Sequence, residues 1–203
     1  MTPISHYTTH AVAYATATRE VDMASLYSRF LPHVPAGGRI LDAGCGSGRD
    51  ALAFRQQGYV VEAFDANPEL AALASTHVGI PVRVMGFLQL GDDAGASFDD
   101  RFAGIWACAS LLHVAEADQA QAWTRLWAWV ATGGVVYASY KLGEGERVDE
   151  WGRPFTDATD LRLRSWLMPL PGVTQVRTWV SADQRRGQSQ AWLNALVQRE
   201  LCA

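Results

Sequence analysis

Residues 40–48 read Ile-Leu-Asp-Ala-Gly-Cys-Gly-Ser-Gly, and Arg49-Asp50-Ala51-Leu52-Ala53-Phe54 follows directly. A short apolar run that ends in Asp42 and breaks into Gly44, Gly46 and Gly48 is a strand stopping in a tight turn, and the segment behind it is a helix. Glycines at alternate positions allow left-handed backbone and let the main chain approach a ligand, while the N–H groups opening the helix suit a nucleotide-like group. A dinucleotide turn takes Gly-x-Gly-x-x-Gly, which from Gly44 and Gly46 requires glycine at position 49, where this chain has Arg49. NAD is therefore the weaker fit. Asp65 closes the next strand 23 residues after Asp42, where a carboxylate accepts from ribose hydroxyls in either class of nucleotide site.

Working outward, residues 7–33 carry Tyr14, Val21, Met23, Leu26, Phe30 and Leu31 at roughly helical spacing and stop at Pro32 and Pro35-Ala36-Gly37-Gly38. This predicts a helical N-terminal cap over residues 1–38. Downstream, the expected elements are a strand over 39–43, a helix over 49–57 ended by Gly58, a strand over 59–65 and a helix from Asn67-Pro68 to residue 77. A strand over 82–85, a loop over 91–100 and a strand over 102–107 come next. Residues 118–132 read as one helix with Trp123, Leu126, Trp127 and Val130 on its apolar face, closed by Gly133-Gly134 before a strand over 135–140. Residues 156–167 read as a helix, and 173–180 and 191–197 as strands of a hairpin. Alternating strands and helices imply an α/β fold with a parallel sheet covered on both faces.

The bulk numbers bound the function. With 203 residues, 49% of them hydrophobic, the chain suffices for one core and is expected to be a single domain over 1–203. Seventeen basic against 21 acidic side chains, net −4, with no basic block longer than Arg185-Arg186, disfavour nucleic acid as a partner. No apolar stretch approaches the ~20 residues that span a bilayer, and no leader pattern opens the chain, so a cytoplasmic protein, monomer or homodimer, is expected. Cys45, Cys108 and Cys202 are widely spaced and odd in number, and His6, His10, His33, His77 and His113 lack ligand spacing. No metal site is expected.

Residues 41–48 resemble, position by position, the first motif of the class I, Rossmann-like, S-adenosylmethionine (SAM)-dependent methyltransferases, and the chain is similar to small single-domain bacterial members over essentially its whole length. Phe98-Asp99-Asp100-Arg101-Phe102-Ala103-Gly104-Ile105-Trp106-Ala107 resembles the approach to that family's fourth strand. Ala131-Thr132-Gly133-Gly134-Val135-Val136 resembles its Pro-Gly-Gly turn, with Thr132 in place of proline. The resemblance implies a doubly wound, mostly parallel sheet of seven strands in the order 3-2-1-4-5-7-6 with the last strand antiparallel, SAM as cofactor and S-adenosylhomocysteine (SAH) as product. It implies that Asp42 lies near the methionine amino group, partly through water, that Gly44, Cys45, Gly46 and Gly48 make room for the cofactor, and that Asp65 holds the ribose. Ala66 would flank adenine, Cys108 and Ala109 would sit near the methionine or the reacting sulfonium, and Tyr14 and Tyr7 would close over the site. The family's acid after the third strand is missing, because Met85 is followed by Gly86-Phe87-Leu88-Gln89. Adenine recognition then falls to backbone groups, to Gln89 or to stacking on Phe87, for which core packing is the competing role.

Methyl transfer from a sulfonium is an in-line displacement, and positioning alone supplies about 7–11 kcal/mol of barrier reduction. A base is needed only when the acceptor must lose a proton; His113, just beyond the fourth strand, is the candidate, against a loop-packing role. Residues 141–155 follow the fifth strand, where open α/β sheets bind substrates, and are the expected lid. Lys141, Arg147 and Arg153, joined by Arg185 or Arg186, suit an anionic acceptor, with Tyr140, Trp151 and Phe155 as an aromatic wall; a solvated loop with pairs to Glu144, Glu146 and Asp149 is the alternative. At the helix start, Asp50 suits the helix N-terminus and Arg49 points toward the cofactor side, reading as structural more than catalytic. The expected function is methyl transfer to a small-molecule acceptor, the alternatives being an NAD-binding oxidoreductase and a non-catalytic SAM-binding module.

Overall fold

The computed structural model describes residues 3–91, 98, 100–149, 154–185 and 187–201, the side chains of 3–10 excepted. Two cap helices, α1 (Pro3–Arg19) and α2 (Ala24–Phe30), precede β1 (Arg39–Ala43). Then follow α3 (Arg49–Gln56), β2 (Val60–Asp65), α4 (Pro68–Val78), β3 (Val82–Val84), β4 (Phe102–Ala107), α5 (Gln119–Trp127) and β5 (Val130–Lys141). The chain ends through β6 (Glu146–Val148), β7 (Pro154–Thr156), α6 (Asp160–Leu167), β8 (Val173–Ala182) and β9 (Ala191–Arg199).

Seven of these strands form one sheet in the order β3-β2-β1-β4-β5-β9-β8. β1 to β5 pair in parallel, and β9 runs antiparallel to both β5 and β8. The expected order is recovered once the small β6–β7 hairpin, which the sequence reads as loop, is set aside. Side chains alternate across the sheet, so neighbours on one strand serve opposite cores. Ile105 and Val136 pack with Trp123, Leu126, Trp127 and Leu163 on the face of α5 and α6. Trp106 and Tyr137, stacked at 3.9 Å between centroids, pack with Phe30 and Phe54 on the face of α2 and α3. Phe30 docks the cap onto the sheet at Gly104, where a Cβ would lie 2.6 Å from its ring.

Local signals explain most boundaries. Asn67 Oδ1 accepts from the Leu70 N–H at 2.9 Å, Pro68 occupies the first turn, and Gly79, at φ +73°, ends α4. Two expectations are corrected. The helix over 118–132 ends at Trp127, and Val130 instead opens β5 opposite Phe102. The β-branched Val130 and Thr132 fit an extended ladder, and Gly133, at φ +74°, sits at an irregularity inside the strand, donating to the Glu200 carbonyl at 2.8 Å. The helix over 156–167 starts only after Thr159, whose hydroxyl caps the Arg162 N–H, while Thr156 belongs to β7. The expected loop over 91–100 lies mostly outside the described residues.

Candidate active site

The sheet order reverses between β1 and β4, and there the carboxyl ends of the parallel strands open into a cavity of about 150 Å³. Its lining joins the glycine turn (Gly44, Cys45, Gly46 and Ser47) to Arg49, Cys108, Ala109, His113, Lys141 and the end of the β8–β9 hairpin. It is smaller than the roughly 300–1,000 Å³ of most ligand sites because α1 lies over the turn. Tyr14 sits 3.4 Å from where a Cβ on Gly46 would project, and Thr18 Oγ1 donates to Ser47 Oγ at 3.0 Å.

The three motif glycines all have left-handed backbone, but they face different neighbours. A Cβ on Gly44 would strike Ser110 Cβ at 2.5 Å, and one on Gly48 would strike Val78 Cγ2 of α4 at 2.6 Å. Both glycines allow close internal packing, Gly44 while also lining the cavity and Gly48 away from it. Gly46 alone points its absent Cβ toward the cavity side, at Tyr14.

The two motif acids hold the turn in shape. Asp42, 2% exposed, accepts the Ala51 N–H at 3.0 Å through Oδ2 and so ties β1 to the first turn of α3. It is not part of the cavity lining, so an amino group bound there would reach it only through water. Burial, then the negative charge of Asp50, pushes its carboxyl well above the ordinary range. Asp65 accepts the N–H of Gly46 at 2.8 Å and of Asn67 at 2.8 Å, and burial raises its carboxyl against the pull of those two donors. Each Asp65 oxygen thus retains a lone pair beside the glycine turn.

On the β3 side, Phe87 is a core residue, edge-to-face on Phe64 at 5.3 Å and outside the cavity lining, which corrects the stacking role. Gln89 Oε1 closes its own short turn on the Gly86 N–H at 2.7 Å, and Ala66 flanks Gly86.

At the end of β4, Ala109 has φ +52°, the only non-glycine left-handed backbone among the described residues. That conformation costs about 1 kcal/mol and is secured by its N–H on Ser139 Oγ at 2.9 Å. Cys108 beside it is pushed up to about 12, by burial first and then by Asp50, so it is a neutral thiol on the cavity wall. Burial likewise raises the Cys45 thiol.

The far wall gathers residues from three segments. His113 Nδ1 lies 3.2 Å from the Pro154 carbonyl and its ring centroid 4.9 Å from that of Phe155. Lys141 Nζ stands 3.7 Å above the same Phe155 ring. Strand alternation decides the next correction: with Lys141 in the cavity lining, Tyr140 points to the opposite face. There Tyr140 is fully buried, donating to Gln119 Oε1 at 2.9 Å and accepting from Trp123 Nε1 at 3.0 Å. Arg147 is likewise withdrawn, its Nε on Asp157 Oδ2 at 2.6 Å, and it does not line the cavity. The expected lid over 141–155 is therefore partly the β6–β7 hairpin; Trp151, Arg153 and Arg186 lie outside the described residues, as does the Tyr7 side chain. Arg185 does line the cavity, gripping Asp183 through Nε at 2.9 Å and Nη2 at 2.6 Å, with Trp192 Nε1 on the same carboxylate at 3.1 Å.

Sequence reasoning missed Thr18, Ser139, Asp183, Trp192 and Asn194, which reach the cavity from both ends of the chain and carry no local motif. Arg49, read as pointing toward the cofactor side, lines the cavity in a bidentate pair with Asp50. Among the described residues no group of three or more His, Cys, Asp or Glu stands close enough to hold a metal ion, and no helix is long and apolar enough to cross a membrane.

A family model described as a methyltransferase domain matches residues 15–186. The chain is 37% identical over 95 residues to a ubiquinone biosynthesis O-methyltransferase of Xanthomonas axonopodis pv. citri, an overlap of 38% of this chain and 40% of the relative's length. Its fold is similar to that of the 1,6-didemethyltoxoflavin-N1-methyltransferase of Burkholderia thailandensis, crystallised with 1,6-didemethyltoxoflavin and SAH. There the TM-score is 0.72 at 22% identity, over 97% of this chain and 85% of the other. It is similar also to the SAH-bound N-methyltransferase NodS of Bradyrhizobium japonicum, with a TM-score of 0.69 at 13% identity over 98% and 99% of the two chains. With the match running from the cap helix to the end of β8, the chain belongs to the methyltransferase-domain family, on a Rossmann-like α/β fold.

Proposed function

We propose that this chain, acting as one domain over residues 1–203, transfers the methyl group of SAM to a small-molecule acceptor. The observation that carries the reading is the glycine turn between β1 and α3, bonded through the Gly46 N–H to Asp65 and continuous with a cavity that runs to His113 and Lys141. Those residues fit such a cofactor. Gly46 has no Cβ to obstruct it, Asp65, just outside the lining but bonded to the Gly46 N–H, keeps acceptor capacity for hydroxyl groups, and Tyr14 and Thr18 line the cavity from α1.

When bound, SAM supplies a cationic sulfonium and an electrophilic methyl group, so the protein need only align a nucleophile and exclude water. His113, anchored through Nδ1 on the Pro154 carbonyl, is placed to take the proton from an acceptor that must lose one. Lys141, held over Phe155, favours acceptors carrying negative charge near the nucleophile. The names of the relatives, an O-methyltransferase and two N-methyltransferases, support a heteroatom nucleophile on a small molecule.

The test is SAH formation from SAM in the presence of small hydroxyl, amine and thiol acceptors. The expected result is turnover that saturates with at least one acceptor and falls at least about tenfold in His113→Ala when that acceptor must be deprotonated. SAM binding without acceptor-dependent SAH from any of them contradicts the proposal.

A further inference from the structure

The glycine turn does not by itself require the buried ion pair that follows it. Asp50 is saturated with donors from three elements: Arg49 Nε at 2.6 Å and Nη2 at 2.8 Å from α3, the Tyr27 hydroxyl at 2.5 Å from α2, and Trp106 Nε1 at 2.8 Å from β4. Burial opposes its ionisation, but the Arg49 charge and these hydrogen bonds hold its carboxyl below the ordinary range. Asp50 is therefore a fixed carboxylate whose role is to hold Arg49.

A guanidinium has five N–H groups, and Asp50 engages one edge of this one. Arg49 Nη1 makes no hydrogen bond among the described residues, and the side chain lines the cavity beside Gly44, Cys45, Gly46 and Cys108. The outer edge, formed by Nη1 and Nη2, is the fork geometry that receives a carboxylate through two parallel hydrogen bonds. Sheet order gives the direction. Asp65 stands at the end of β2 on one side of β1, and Cys108 at the end of β4 on the other, so a ligand with its ribose at Asp65 runs its far end across β1 toward Arg49.

We infer that Arg49 binds the α-carboxylate of the methyl donor's amino-acid tail, and that Tyr27, acting through Asp50, is a positioning residue that makes tail recognition depend on a docked cap. This rests on the SAM reading above. Arg49 then discriminates donors and products that keep the tail from adenosyl thioethers that have lost it.

Calorimetric titration of the full chain with SAH and with 5′-methylthioadenosine, which keeps the adenosine and the sulfur but lacks the tail, tests this. Wild type is expected to prefer SAH; Arg49→Met should lower that preference about 10- to 100-fold by weakening SAH alone, with methylthioadenosine affinity within about twofold. Unchanged methylthioadenosine binding shows that the fold and adenosyl site survive. Arg49→Lys keeps a charge against Asp50 without the fork and should recover only part of the preference, and Tyr27→Phe should reduce it several-fold. A preference unchanged in Arg49→Met, or an equal loss for both ligands in Arg49→Met and Tyr27→Phe, overturns the proposal alone. A wild-type chain that binds neither ligand overturns the donor reading and the proposal with it.

Discussion

Two carboxylates nine-tenths buried or more, Asp42 and Asp50, lie on either side of the turn between β1 and α3, and only Asp50 has a cationic partner of its own. Asp42 has a single backbone donor, so its burial and its neighbour's charge raise its folded-state carboxyl above the unfolded value of 3.8. An acid raised in this way binds more protons folded than unfolded throughout the window between the two values, so its contribution to stability falls as pH rises through that window. The carboxamide introduced by Asp42→Asn keeps an oxygen for the Ala51 N–H and carries no charge. Denaturant unfolding of wild type and Asp42→Asn at a series of pH values above about 4 should show wild type losing stability relative to the variant as pH rises. Parallel curves contradict the assignment. The sequence named Asp42 and Asp65 as the acids that matter, because their positions at strand ends are legible in the spacing. It did not tell that the Asp42 carboxylate turns to the Ala51 N–H of α3, while the orientation of Arg49 toward the cavity followed from its place at the helix start.

At the scale of elements, the third motif glycine decides how α3 and α4 meet. Gly48, at φ +76°, precedes α3, and a Cβ there would meet Val78 Cγ2 at 2.6 Å and Ala74 Cβ at 3.1 Å on α4. Gly58 has a similar backbone, φ +87°, with no atom within 4 Å. Left-handed backbone costs both sites about 1–2 kcal/mol on substitution by alanine, but only Gly48 adds an overpacking cost of about 1–3 kcal/mol. Urea unfolding should therefore show Gly48→Ala more destabilised than Gly58→Ala by at least about 1 kcal/mol; equal losses contradict the packing role. Elements with punctuation were readable: Asn67-Pro68 began α4 and Gly79 ended it. Where punctuation sat inside an element it misled, since Gly133-Gly134 lies within β5 and drew the expected end of α5 from Trp127 out to Thr132. The β6–β7 hairpin escaped notice because three-residue strands with charged, glycine-bearing neighbours look like solvated loop.

At the scale of the whole molecule, the parallel sheet followed from alternation of apolar strands with helices, and the reversal of strand order between β1 and β4 sets the cavity there. The nucleotide side of that cavity was legible because a few consecutive residues build it. The acceptor side was not, since Lys141, His113, Arg185 and Trp192 come from separate segments and meet only when β5, β8 and β9 pair. The most direct test of SAM binding at this turn is calorimetric titration of the chain with SAH and with NAD, for wild type and Asp65→Ala. The predicted result is one-to-one SAH binding that weakens at least about tenfold in Asp65→Ala, with no response to NAD. Saturable NAD binding without a response to SAH, or SAH affinity unchanged in Asp65→Ala, would contradict it.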